Sequence, residues 1–220
     1  MHIMEGFLPP IWCLVWYLLA APVVVYGGYR TYRYVQERPR AKALLAVAAA
    51  FVFVLSALKL PSVTGSTSHP TGTGIAVVLF GPAVTAFVSA IVLVYQALFL
   101  AHGGITTLGA NVASMGILGP LLGWIVYRIV RPRVDLRKAT FAAAVVANWT
   151  TYVVASLQLA VAFPAQPGLE GVAASAASFL GVFAVTQLPI GLLEGALAAS
   201  LVGYLDASTE VVRERLEVAA

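Results

Sequence analysis

Residues 172–205 read VAASAASFLGVFAVTQLPIGLLEGALAASLVGYL, with Glu194 as their only charged side chain. A run of this length and polarity is enough to cross a bilayer, which takes about 20 apolar residues as a helix. Lipid satisfies no backbone polar group, so a spanning segment is a helix or a strand of a closed barrel, and the run lacks the period-two alternation of barrel strands. Working back along the chain, comparable apolar runs occupy 139–163, 111–131, 90–103, 73–89, 41–60 and 10–29, the two between 73 and 103 being divided at a turn near Ser89. Only 10% of the 220 residues are charged and 60% are apolar. The sequence predicts an all-α membrane protein: one integral domain over residues 1–220, a polytopic bundle of about seven transmembrane helices in the cell membrane.

The charges orient such a bundle. Arg30, Arg33, Arg38, Arg40 and Lys42 lie between the first and second runs, Arg128, Arg131, Arg133, Arg137 and Lys138 between the fifth and sixth, and Arg213 and Arg215 in the tail, leaving Lys59 alone on the other side. The positive-inside rule makes the basic side cytoplasmic. An odd number of crossings then puts the carboxyl terminus in the cytoplasm, and the amino terminus outside together with the loop 61–72. The net charge of +4 is therefore an orientation signal. It comes without the interleaved aromatic platforms of a nucleic-acid surface, so no nucleic-acid partner is expected. The first 29 residues hold no Lys or Arg, unlike a secretory signal, and are read as the start of the mature chain or as a start exposed by removal of a signal.

Several function classes find no support. No Walker lysine follows Gly72 and Gly74, and zincin helices, paired-aspartate clusters and serine elbows are missing, so the chain is expected to be neither an ATPase nor another enzyme. Cys13 has no partner with which to form a disulfide within the chain, and is read as a packing residue. Asn148-Trp149-Thr150 matches a glycosylation acceptor but lies within an apolar run, where it is read as helix packing.

Metal chemistry is concentrated in few residues. A terminal amine on Met1, the amide nitrogen of His2 and the His2 imidazole close fused chelate rings in one plane, leaving a fourth in-plane position that His69 could fill from its polar, exposed loop. An all-nitrogen planar set suits nickel, cobalt or copper rather than calcium, magnesium or structural zinc. The residue before Pro70 is biased to extended geometry, which holds His69 out of helix. Glycines in 101–111, AHGGITTLGAN, permit irregular backbone at membrane depth. His102 and Asn111 there, with Ser68 beside His69, are candidates for contacts around the ligands; His102 reads equally as a helix cap. Glu194 reads as a functional group within the membrane, as a neutral acid bonded inside the bundle, or as an interfacial residue. His102, Asn111 and Glu194 fall in segments placed at different depths.

The opening MHIMEGFLPP, the loop GSTSHPTGTG and the stretch AHGGITTLGANVASMGILGP resemble, in this order and across essentially the whole chain, the CbiM/NikM family of metal-binding S components of energy-coupling factor transporters. The resemblance implies Met1, His2 and His69 as the metal ligands. It implies capture of Co2+ in support of cobalamin biosynthesis, because MHIMEG is more similar to the cobalt members than to the nickel members, which more often open MHIPDG. Nickel is the alternative substrate, and a vitamin-type transporter subunit a more distant one. Implied partners are a transmembrane T component, a cytoplasmic ATPase subunit that supplies the energy, and a small additional membrane subunit, with no permanent cofactor.

Overall fold

The computed structural model describes residues 2–61 and 66–208. In chain order come β1 (His2–Ile3), α1 (Pro10–Glu37), α2 (Ala41–Ala57), β2 (Leu60–Pro61), β3 (Ser66–Ser68), α3 (Thr73–Phe80), α4 (Pro82–Leu100), α5 (Leu108–Val130), α6 (Leu136–Ala162) and α7 (Leu169–Ser208). Prolines that lack a donor head α1 and α4, where the first amide of a helix has no acceptor anyway. The Asp135 carboxylate accepts from the Lys138 N–H at 3.0 Å and caps α6.

α1, α4, α5, α6 and α7 are each long and apolar enough to cross a membrane. The expected division near Ser89 is corrected by the structure: Ser89 is buried within α4, and the chain breaks at Gly81-Pro82. Pro82 cannot donate to α3, and Gly81 takes φ +79°, a conformation that glycine adopts without penalty. The residues expected to form a span at 73–89 therefore give the start of α4 and an eight-residue α3, the latter a rise of about 12 Å against a hydrocarbon core of about 30 Å. α3 is apolar all round and buried at every position, as a helix enclosed by others must be. Gly74 makes the enclosure possible, since a Cβ there would lie 2.5 Å from Ala144 Cα in α6.

Two apolar clusters mark opposite ends of the bundle. One gathers Tyr34, Phe80, Val84, Tyr127, Leu136 and Val202 beside the basic connections. The other gathers Ile3, Leu8, Ala110, Leu159 and Phe183 beneath the amino-terminal segment. At this second end lies a feature the all-helical expectation lacked, a three-stranded sheet in the order β1-β3-β2 with both pairings antiparallel. Its strands are two or three residues long, too short to show an alternation in sequence.

Candidate metal centre

The small sheet sets the geometry of the site. His2 pairs with Thr67 and Ile3 with Ser66, so the segment that carries His2 is hydrogen-bonded to the strand that leads into His69. On its other side, Ile3 is gripped by a side chain that imitates a neighbouring strand: Asn111 Oδ1 accepts the Ile3 N–H at 2.7 Å, and Asn111 Nδ2 donates to the Ile3 carbonyl at 2.9 Å. Thr107 Oγ1 donates to the same carbonyl at 2.8 Å. Further along, Glu5 N–H donates to the Gly103 carbonyl at 3.1 Å, Gly6 N–H to Thr106 Oγ1 at 3.1 Å, and Thr106 N–H to the Glu5 carboxylate at 3.1 Å. Gly104 lets the two segments lie this close, since a Cβ there would lie 2.4 Å from Glu5 Cα.

Three imidazoles meet where these segments converge. The ring centroids of His2 and His69 are 4.3 Å apart, those of His2 and His102 4.4 Å, and those of His69 and His102 5.0 Å. One nitrogen from each histidine lies within 4.8 Å of the other two. His69, expected in an exposed loop, is completely buried, as is His2. His69 Nδ1 donates to the Pro70 carbonyl at 2.8 Å. A carbonyl only accepts, so the proton sits on Nδ1 and the Nε2 lone pair is free. That Nε2 is buried without a hydrogen-bond partner, an arrangement that costs stability unless a ligand completes it, and a carbonyl behind the imidazole is the usual support of a metal-binding histidine.

His102 caps a helix end, one of its two expected readings, and also lies beside His2. Its backbone N–H donates to the Gln96 carbonyl at 3.1 Å and caps α4, while Ala101 in the left-handed region (φ 46°) turns the side chain inward. His102 Nε2 there lies 3.1 Å from His2 Nδ1 and 2.8 Å from Thr67 Oγ1. The expectation of different depths is thereby corrected for His102 and Asn111, which both converge on the amino-terminal segment. Asn111 holds the Ile3 backbone instead of accepting from an imidazole. Ser68 is buried, but its hydroxyl pairs with Thr186 Oγ1 of α7 at 2.8 Å, away from the rings. Glu194 bonds Thr71, Gly72 and Asn148, which accounts for Asn148 as a packing residue. Met1 lies outside the described residues.

Sequence reasoning missed Thr67, Thr106, Thr107 and Met115. Met115 Sδ lies 3.3 Å from His2 Nε2, and is presented by a π-helical stretch, Val112–Leu118, within α5. Such insertions concentrate at functional sites. The only signal in the sequence was the glycine density of 103–119.

A family model described as cobalt uptake substrate-specific transmembrane region, CbiM, matches residues 2–211. The chain belongs to the CbiM family. Among relatives that bear the CbiM name, one from Halobacterium salinarum is 64% identical over 220 residues, all of both chains. One from Archaeoglobus fulgidus is 61% identical over 218 residues, 99% of each. The cobalt transport protein CbiM of Limosilactobacillus reuteri is 53% identical over 199 residues, 90% of this chain and 79% of its own. Two crystal structures share the fold: a transition metal transporter at TM-score 0.83 and 21% identity, covering all of both chains, and a truncated transition metal transporter at 0.79 and 23%, covering 93% of this chain and 98% of its own. With its apolar helices, membership in CbiM makes the chain a multi-pass membrane protein of a transport family, not an enzyme.

The buried imidazoles give this CbiM chain a definite acid response. Burial, chiefly, holds His2 and His69 well below the ordinary 6.5 and His102 at about 4. Near neutral pH all three are therefore uncharged, as coordination requires. The unfolded chain takes up protons as pH falls through 6.5 while the folded one does not, so this contribution to stability is complete above 6.5 and is lost progressively towards 4. Thermal unfolding of metal-free protein in detergent is expected to move to lower temperature through that window; a midpoint unchanged between about pH 7 and 5 would contradict the neutral cluster.

Proposed function

We propose that the chain is the substrate-capture component of an energy-coupling factor importer of cobalt, binding Co2+ at the outer face and supporting cobalamin biosynthesis. The observation that carries this reading is the bare His69 Nε2, buried in a ring whose centroid lies 4.3 Å from that of His2. With the Met1 amine and the His2 amide and imidazole it makes a four-nitrogen set, which suits late first-row ions. His2 Nδ1, now against His102, exchanges that contact for the ion, and the segment 2–6 folded against 103–107 forms the closed mouth.

The whole chain acts as one membrane domain. The basic connections lie in the cytoplasm by the positive-inside rule, which leaves the histidine cluster outside. Seven passages, the third made by residues 70–80 with only a short helix, separate the two termini. A transmembrane T component, an ATPase and a small further membrane subunit complete the importer, with ATP hydrolysed in the ATPase. Ala46 and Ala50 are exposed on α2 and offer the T component a place of close helix approach.

Competitive titration of detergent-purified protein with Co2+, Ni2+ and Zn2+ tests the reading. Tight cobalt binding, retained against zinc, is the expected result. Displacement of cobalt by equimolar nickel, which the intrinsic affinity order favours, would transfer the reading to nickel; weak binding of all three ions would overturn it.

A further inference from the structure

Glu194 of α7 is 1% exposed, and both of its oxygens are fully engaged. Oε2 accepts from the Thr71 N–H at 2.6 Å and from Asn148 Nδ2 of α6 at 2.8 Å. Oε1 accepts from the Gly72 N–H at 2.7 Å and from the Thr71 hydroxyl at 2.7 Å. Each oxygen thus faces one backbone N–H, a donor that cannot be turned around. A glutamine would direct its NH2 at one of these amides in either orientation. The pocket is built for two acceptor oxygens.

The place of this contact matters more than its strength. Thr71 and Gly72 join His69-Pro70 to the enclosed helix α3, and Gly72 takes φ +71° with no room for a side chain, a Cβ there lying 2.8 Å from Val52 Cα in α2. His69 is otherwise held through β3, which pairs on one side with β1, the strand that carries His2 itself, and on the other with β2. Glu194 holds the His69 side of the site without help from the amino-terminal segment. An ionisable residue at membrane depth is costly unless a function retains it, and the histidine cluster does not use this one directly.

We propose that Glu194 is a positioning residue for metal capture: its carboxylate, carried by α7 and braced by Asn148 of α6, latches the Thr71–Gly72 backbone and thereby fixes the His69 imidazole where it receives the ion. The inference rests on His69 being a ligand. It gives the α6–α7 pair a mechanical connection to the site, so that displacing this pair against α3 loosens His69 and speeds release.

The test uses full-length protein in detergent with Co2+ and Ni2+ as probes, comparing wild type, His69→Ala, Glu194→Gln, Thr71→Val and Thr71→Ser. Affinity, the rate of loss to a chelator, the visible spectrum of the bound ion and the unfolding temperature are read for each. Glu194→Gln is expected to weaken binding by about 10- to 100-fold, through faster loss, with a spectrum displaced towards that of His69→Ala. Thr71→Val should move the same way by less, and Thr71→Ser should behave as wild type. Affinity, release rate and spectrum all unchanged in folded Glu194→Gln, beside a weakened His69→Ala, would overturn the latch alone, even if the unfolding temperature fell. Should Glu194→Gln not fold, Thr71→Val decides by the same criteria. Equal binding by wild type and His69→Ala would overturn the ligand assignment and the latch with it.

Discussion

Protein whose amino terminus is acetylated, or extended by two residues, is expected to bind cobalt about 10,000-fold more weakly than protein with a free Met1 amine. The magnitude follows from the donors lost. Four-donor zinc sites are worth about 10–16 kcal/mol, or roughly 3 per donor. Blocking the amine removes that donor and, with it, the chelate ring that favours deprotonation of the His2 amide, so two donors and about 6 kcal/mol are lost, each tenfold costing about 1.4. The segment cannot slide to compensate. Ile3 is completely buried, and both its backbone groups are held by Asn111; a one-residue slip would turn His2 to the opposite face of the sheet. A single added residue is the wrong probe, because an amine, two amides and a third-position imidazole complete a nitrogen square unaided. Isothermal titration of the acetylated and free forms checks the expectation, and equal affinities would remove Met1 from the ligand set.

The helices were legible because the membrane reduces the problem to long runs without charge, as in 139–163 and 172–205. Two things were not. The break at Gly81-Pro82 is a strong turn signal in itself, but it sits inside an apolar stretch long enough to tempt a full span, and Ser89, being polar, drew the boundary away from it. The short sheet, and with it the enclosure of His69, depends on contacts 65 residues apart in register, His2 with Thr67, for which a two-residue strand has no pattern. The identity of His2 and His69 could be argued from donor chemistry, and His102 and Asn111 from the glycines around them. The roles of the Thr67, Thr106 and Thr107 hydroxyls could not, because threonine in an irregular loop is too common to signal a role. Glu194 was conspicuous as a charge in an apolar run, whereas its partners in Thr71 and Gly72 emerge only once α7 is packed beside the loop.

His69→Ala and His102→Ala are expected to separate the two imidazoles by their effects on binding. The structure distinguishes them at Nε2, although His102, like His69, keeps one buried nitrogen, its Nδ1, without a hydrogen-bond partner. His69 Nε2 has no partner and its proton is fixed on Nδ1 by Pro70, so in the metal-free protein the ring presents a ready lone pair. His102 Nε2 is already shared between Thr67 and His2, and on the proposed reading it is released from His2 as the ion binds and makes no bond to the ion itself. Removing His69 should therefore weaken cobalt binding about 100-fold or more, the value of roughly one donor. Removing His102 should cost about tenfold, the scale of a contact that orients a ligand. Stability should not follow the same order. Deleting His69 leaves a cavity, which costs about 2–5 kcal/mol for a buried side chain of this size, partly offset by eliminating a buried unsatisfied nitrogen worth about 1–3 kcal/mol, so the metal-free His69→Ala protein should lose less stability than a purely apolar truncation would, despite its loss of affinity. Parallel titrations and unfolding curves decide the matter. If His102→Ala lost more affinity than His69→Ala, His102 would be the ligand and His69 the support.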